Sequence, residues 1–298
     1  MRSVIKKLLT LLGAGISIFF GKSRPGRIVL EALLASNDSK EIQINHKNIS
    51  LNFVASGELL RWRAASFSEK EPETLAWIDC FAGDEIFWDI GANIGLYSVY
   101  AAKRHQNASV FSFEPSVFCL ETLVRNLVLN SLEDRVCIVP IALTERSSFA
   151  ELKLSTVQKG GALSVFGADF GYDGNEFTSI FSYMTVGASI NDFLAVCPDA
   201  FPNHVKIDVD GIEHLILSGA TDLLKDPRLI SILIEVNDQF SEQVEGCSSL
   251  LQASGFSLVA KRSSEFVKNS GGDFTSLFNQ IWVRPGSPFH RRLVESDV

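Results

Sequence analysis

Apolar and polar positions change period several times along this chain, and each change marks an element. Lys40 to Val54 alternates apolar and polar around Asn45-His46-Lys47-Asn48, the pattern of a hairpin with those four residues as its turn. Glu71-Pro72-Glu73-Thr74 then opens a helix through Trp77, with proline and acids in the first turn, where free amides and the helix dipole favour them. From there apolar runs alternate with runs of helical period: strand 86–90, helix 95–104, strand 109–113, helix 116–130, strand 136–141, helix 190–196, strand 204–209, helix 211–225, strand 229–236 and helix 241–253. Strands alternating with helices predict an α/β fold with a mostly parallel sheet. Two closing runs, Phe256 to Lys261 and Phe278 to Arg284, have no helix between them, so the last strand is expected to enter the sheet antiparallel as a hairpin partner.

Residues 147–189 break this rhythm. Glu151 to Leu154 reads as a strand, and a run rich in Gly, Ser and Phe follows, with Gly160-Gly161 and Gly167 to Gly174. A long irregular insertion in a compact domain is expected to act as a lid or substrate loop. At the other end, Leu8 to Phe20 is a thirteen-residue apolar stretch framed by Arg2, Lys6 and Lys7 before it and Lys22, Arg24 and Arg27 after it. Thirteen residues are too few to span a bilayer as a helix. The stretch reads as a membrane-surface helix with a basic rim, as a helix packed on the body, or, against the lack of a small-residue cleavage site, as a secretory signal. The expected organisation is therefore an apolar and basic segment 1–27, a cap segment 28–80, a cofactor-binding domain 81–286 and a tail 287–298.

Composition bounds the function. With 298 residues, 46% hydrophobic and 21% charged, the chain suits one large globular domain and a lesser segment. A net charge of −8 argues against general nucleic-acid binding, which rewards clustered Lys and Arg. The five cysteines, Cys80, Cys119, Cys137, Cys197 and Cys247, are odd in number and scattered, with no CxxC pair, as expected of reduced thiols in a cytoplasmic protein, peripheral to a membrane if residues 1–27 lie on one.

Phe87-Trp-Asp-Ile-Gly-Ala-Asn-Ile-Gly-Leu-Tyr-Ser98 is a buried strand breaking into a glycine turn that opens a helix. Gly91 and Gly95 let the backbone approach a ligand closely, and Glu114, nineteen residues past Gly95 at the end of the next strand, can accept both ribose hydroxyls of an adenosine. Asn93 stands where a dinucleotide site uses glycine against the pyrophosphate, which favours S-adenosylmethionine over NAD, with Asp89 placed to meet the ammonium group of its amino-acid end. Ser98, in the first turn of the helix, and Ala142, after the third strand, complete the expected cofactor site. The plain alternative is a tight turn with a surface acid after it.

The second informative stretch is His204-Val-Lys-Ile-Asp-Val-Asp-Gly-Ile-Glu-His214, the fourth strand running into its helix. Ligands of open α/β sheets bind outside the carboxyl ends of strands, so Asp208 is expected beside the reacting centre, as general base with His214 as second candidate. Asp210 and Glu213 have the spacing of an N-cap and its capping-box partner. Alternatively Asp208, Asp210 and Glu235, at the end of the fifth strand, gather carboxylates for a hydroxyl substrate or a hard cation such as Mg2+, although no metal is assigned on carboxylates alone.

These stretches, with Phe113-Glu114-Pro115, Asn126 to Asn130, Leu217 to Ala220 and Ile234-Glu235 in order, resemble the FkbM-type S-adenosylmethionine-dependent methyltransferases over about residues 70–240. The resemblance implies a class I methyltransferase (Rossmann-like) fold, a seven-stranded mostly parallel sheet with helices on both faces and an antiparallel last strand. It also implies O-methylation of a hydroxyl on a sugar, glycan, polyketide or other natural product. The chain departs from that family's usual pattern at Val209-Asp210-Gly211, where Val-Glu-Gly is common, and at Ile190-Asn191, where Leu-Asp is common. Two competing readings are a non-catalytic cofactor-fold protein at a membrane surface, opposed by the intact Asp89, Gly91, Gly95 and Glu114, and an NAD-dependent oxidoreductase, opposed by Asn93.

Overall fold

The computed structural model describes residues 2–263 and 274–295. Two helices open the chain, α1 (Arg2–Gly21) and α2 (Arg24–Asp38), followed by the antiparallel hairpin β1 (Glu41–His46) and β2 (Ile49–Val54). Its turn is tighter than the sequence pattern suggests. Only Lys47 and Asn48 lie between the strands, at φ of 43° and 65°, the left-handed pair whose twist matches that of the flanking strands. Three short helices, α3 (Glu58–Ala65), α4 (Phe67–Lys70) and α5 (Pro72–Asp79), lead to β3 (Ile86–Ile90), α6 (Leu96–Arg104), β4 (Ser109–Phe113), α7 (Val117–Leu129) and β5 (Val136–Val139).

The insertion is more regular than its composition suggests. Residues β6 (Ala142–Leu143), β7 (Ser148–Leu154), β8 (Ser164–Phe166) and β9 (Phe181–Ala188) form a second sheet in the order β6-β9-β7-β8. The chain then runs through α8 (Ile190–Val196), β10 (His204–Ile207), α9 (Glu213–Ser218), α10 (Thr221–Lys225), β11 (Ser231–Asn237), α11 (Ser241–Ala253), β12 (Ser257–Arg262), β13 (Leu277–Val283) and α12 (Pro288–Glu295). The single helix expected over 211–225 divides at Gly219, whose Cα packs so closely on the backbone of Thr144 that an added Cβ would lie 2.5 Å from its carbonyl oxygen.

The main sheet has seven strands in the order β12-β13-β11-β10-β3-β4-β5. All pairs are parallel except those of β13, which runs antiparallel between β11 and β12. Side chains on a strand alternate between faces, and both faces here are covered. Phe87, Val110, Leu233 and Ile281 enter one core with α5, α6, α7 and the β1–β2 hairpin, while Trp88, Ile90, Val205, Ile207 and Ile232 enter the other with α8 to α11 and the second sheet. Buried indoles keep partners: Trp77 Nε1 donates to Ser231 Oγ at 2.9 Å and Trp88 Nε1 to the Ala200 carbonyl at 2.8 Å. Asn126, four residues before Asn130 on α7, accepts from the Val54 amide (2.8 Å) and donates to the Ile94 carbonyl (2.8 Å), so one side chain ties the hairpin to the glycine turn.

Candidate active site

The carboxyl ends of β3, β4, β10 and β11 face a cavity of about 570 Å3. The order reverses between β3 and β10, where a doubly wound sheet opens its ligand crevice. The floor on the β3 side is the glycine turn. Gly91 and Ala92 amides both donate to the Phe113 carbonyl, at 3.0 and 3.1 Å, which pins the turn against β4. Gly91 has φ of 80°, and a Cβ there would lie 1.9 Å from the Asp208 carbonyl oxygen. Glycine is therefore required by the next strand's backbone. Gly95, also at φ 80°, would put a Cβ 2.3 Å from Leu123 Cδ1, so it admits α7 rather than a ligand.

Seven of the residues picked from the sequence line the cavity: Gly91, Asn93, Glu114, Ala142, Asp208, Asp210 and Glu235. Four do not: Asp89, Gly95, Ser98 and His214. Asp89 is buried, with Oδ2 accepting from Ser98 Oγ at 2.6 Å, and Ser98 accepts in turn from Ser112 Oγ at 2.7 Å. This chain of hydrogen bonds locks β3, α6 and β4 together beneath the turn, and it puts Asp89 and Ser98 behind the wall where the sequence suggested direct contact. Burial raises the Asp89 pKa, and Lys206 and Ser98 oppose that. His214 lies on α9, stacked on Phe170 and edge-on to Phe240, with neither ring nitrogen hydrogen-bonded. Burial lowers its pKa. It sits between two aromatic rings and is not among the residues that line the cavity.

Glu114 lines the cavity beside the glycine turn. Its carboxylate accepts from the Asn93 amide at 2.8 Å and the Ser116 amide at 2.7 Å, and burial, with Asp210 and Asp89 nearby, pushes its pKa up to about 7. Asn93, at φ 51°, donates its side-chain amide to the Gly161 carbonyl at 2.6 Å, so the turn is fastened to the insertion. Ile141, Leu143 and Phe166 supply apolar wall nearby.

A charged cluster also lines the cavity. Asp208 follows β10 and accepts from Lys206 Nζ at 2.7 Å. Lys206 is fully buried in the strand, 5.0 Å from the Tyr97 ring centre, and although burial disfavours its charge, Asp208, Glu71 and Asp89 hold its pKa above the ordinary value. Glu71 meets Lys70 at 2.8 Å; burial alone would raise its pKa, but Lys70 and Lys206 bring it down to about 2. Glu235 goes the other way, raised well above its ordinary value by burial and by Asp208 and Glu71. Carboxylate oxygens of Asp208, Asp210 and Glu235 lie within 4.8 Å of one another.

Asp210 and Glu213 do not form a capping box. Asp210 turns away from α9, at φ 66°, and accepts from the Leu163 amide of the insertion at 2.7 Å; burial and Asp208 push it up to about 6. Glu213 instead accepts from the Val209 (3.1 Å) and Gly211 (3.0 Å) amides, holding the turn that carries Asp208 and Asp210. Lys70, Glu71 and Lys206 are the site residues that the sequence reading missed. Lys206 carries the signal that could have found them, since a lysine inside a buried strand requires a carboxylate partner.

Sheet order, glycine turn and acid after the second strand together define a class I methyltransferase fold of the S-adenosylmethionine-dependent type. The methyltransferase FkbM domain matches residues 89–258, and the chain belongs to that family. It is 26% identical over 208 residues to the 31-O-demethyl-FK506 methyltransferase FkbM of Streptomyces tacrolimicus, an alignment covering 62% of this chain and 76% of that one. With the hexuronic acid methyltransferase AglP of Haloferax volcanii it shares 27% over 176 residues, 58% of this chain and 65% of the relative. The crystal structure of methyltransferase FkbM from Methylobacillus flagellatus KT superposes with a TM-score of 0.46 at 15% identity, over 68% of this chain and 44% of that one.

Proposed function

We propose that this methyltransferase moves a methyl group from S-adenosylmethionine to a hydroxyl of a small-molecule or glycan acceptor. The observation that carries the reading is a single cavity lined by both the Glu114 carboxylate and Asp208, with the glycine turn between β3 and α6 touching the Asp208 backbone. Glu114 would accept from the ribose hydroxyls through the lone pairs its two amide bonds leave free, and Ile141, Leu143 and Phe166 offer apolar surface to the adenine. The name of one relative specifies an oxygen position, which supports a hydroxyl acceptor, and the name of the other a sugar acid, which supports a carbohydrate acceptor.

The bound cofactor supplies an electrophilic methyl group on a sulfonium, and transfer is an in-line displacement that depends mainly on alignment. What the chain adds is the treatment of the hydroxyl. Asp208, fixed by Lys206, accepts the hydroxyl's hydrogen bond and then its proton, while Lys70 and Lys206 lower the Glu71 pKa and weaken it as a base. Asp208→Asn keeps the shape. It should leave S-adenosylhomocysteine affinity within a few fold by calorimetry and lower turnover by about 10²–10⁴, the contribution of a positioned base. Full turnover in the variant would overturn the assignment. The convergence of Asp208, Asp210 and Glu235 also favours a second reading, in which they hold a divalent cation such as Mg2+ that orients the hydroxyl. Loss of activity with EDTA and its return with Mg2+ would select that reading, and indifference to EDTA would select the Lys206-supported base.

A further inference from the structure

The first two helices form a unit with unusual chemistry. Helices α1 and α2 pack on each other, and every residue from Leu11 to Phe20 is exposed, so this stretch of α1 is not buried against the body. Ten large apolar side chains between Leu11 and Leu34 face outward, among them Leu11 at 72%, Phe19 at 75% and Leu34 at 62% exposure. The two helices, residues 2–38, hold six basic side chains against two acids, Glu31 and Asp38; with 27 basic and 35 acidic residues in all, the rest of the chain carries −12. Among the described residues no helix is long and apolar enough to cross a membrane.

We infer that this hairpin is an in-plane anchor for an anionic lipid bilayer. Exposed apolar side chains on a hairpin of net charge +4 suit the boundary between acyl chains and negative headgroups, where the apolar and the basic side chains each meet their complement. A second copy of the chain is a poorer partner, because hairpin against hairpin would bring together two units of net charge +4. The acidic body would be repelled by the same lipid surface, so contact is confined to the hairpin and the body is held off. The inference is independent of the acceptor and of the base assigned above.

Flotation of the full-length protein with vesicles of phosphatidylcholine alone, and of phosphatidylcholine with phosphatidylglycerol, tests it. The protein should float with the anionic vesicles, weaken as salt is raised, and bind the neutral ones far less. The charge variant Lys22→Glu/Arg24→Glu/Arg27→Glu should lose at least about tenfold in vesicle affinity, as should the apolar variant Leu12→Ser/Ile16→Ser/Phe19→Ser. Both should bind S-adenosylhomocysteine as the unchanged protein does, which shows that the body is folded. The inference is overturned if the unchanged protein stays unbound with anionic vesicles, whether as a monomer or as a dimer that sedimentation shows to be dissolved by the apolar variant. Equal binding by the charge variant would overturn it too.

Discussion

Glu114 accepts from two backbone amides, and this sets what its loss would cost. Glu114→Ala removes the proposed ribose acceptor and also frees the Asn93 and Ser116 amides, so it disturbs the turn; Glu114→Gln keeps an acceptor oxygen and removes the charge. The alanine variant should weaken S-adenosylhomocysteine binding by about 1.5–3 kcal/mol, the range of a hydrogen bond to a charged group, with glutamine between it and the unchanged protein. Calorimetry giving equal affinities for all three would remove Glu114 from the site. The position of this residue is legible in the sequence because strand, turn and following acid are local. Lys70, Glu71 and Lys206 are less so. Their charges meet only when α4 and α5 are folded against β10, more than 130 positions away, and no short window shows that pairing. His214 is hidden for a related reason: which way α9 turns its first residues depends on the amide contacts of Glu213, and these place the imidazole between Phe170 and Phe240.

Among elements, the junction of α6 with α7 depends on Gly95. A methyl group there meets Leu123 Cδ1 at 2.3 Å in a left-handed backbone. Gly95→Ala should cost about 1–3 kcal/mol in urea unfolding, as overpacking does, and roughly 1 kcal/mol of that is backbone strain. Adding Leu123→Ala should make the double variant less destabilised than the sum of the singles, because only the steric part is relieved. Strict additivity would show that the contact is not the cause. The order of elements from β3 onward follows from period alone, since apolar runs bounded by helical runs admit few topologies. The second sheet does not, because β7 and β9 pair across more than twenty intervening residues rich in glycine and serine. What the composition presents as a loose lid is a wall fastened by Arg63 to the Gly160 carbonyl, by Asn93 to Gly161 and by Asp210 to Leu163.

For the molecule as a whole, buried acids around one cavity make stability depend on pH. Asp210 sits at about 6 against an ordinary 3.8, and Glu114 and Glu213 at about 7 against 4.5. A raised carboxyl stabilises the fold fully below its unfolded pKa, and that contribution is lost as pH rises through the folded value. Asp210 therefore weakens the fold between about pH 4 and pH 6. Buried histidines such as His204, whose pKa is lowered, act in the opposite sense, so the comparison must be made against a variant. The melting temperature of Asp210→Asn should gain on that of the unchanged protein between pH 4.5 and 7, by roughly a few degrees for about 1–2 kcal/mol in a chain of this size. A constant difference across that range would contradict the buried charge.

Asp38, the last residue of α2, is tied by Arg125 at 3.1 Å to α7 and by Lys159 at 3.3 Å to the insertion, one residue before the Gly160-Gly161 wall. The hairpin's base is thus coupled to one edge of the cavity. On a lipid surface that coupling would fix the height at which the cavity is carried. An acceptor dissolved in the same leaflet would then be met by lateral diffusion, at a rate set by its density per unit area and not by its concentration in the surrounding water.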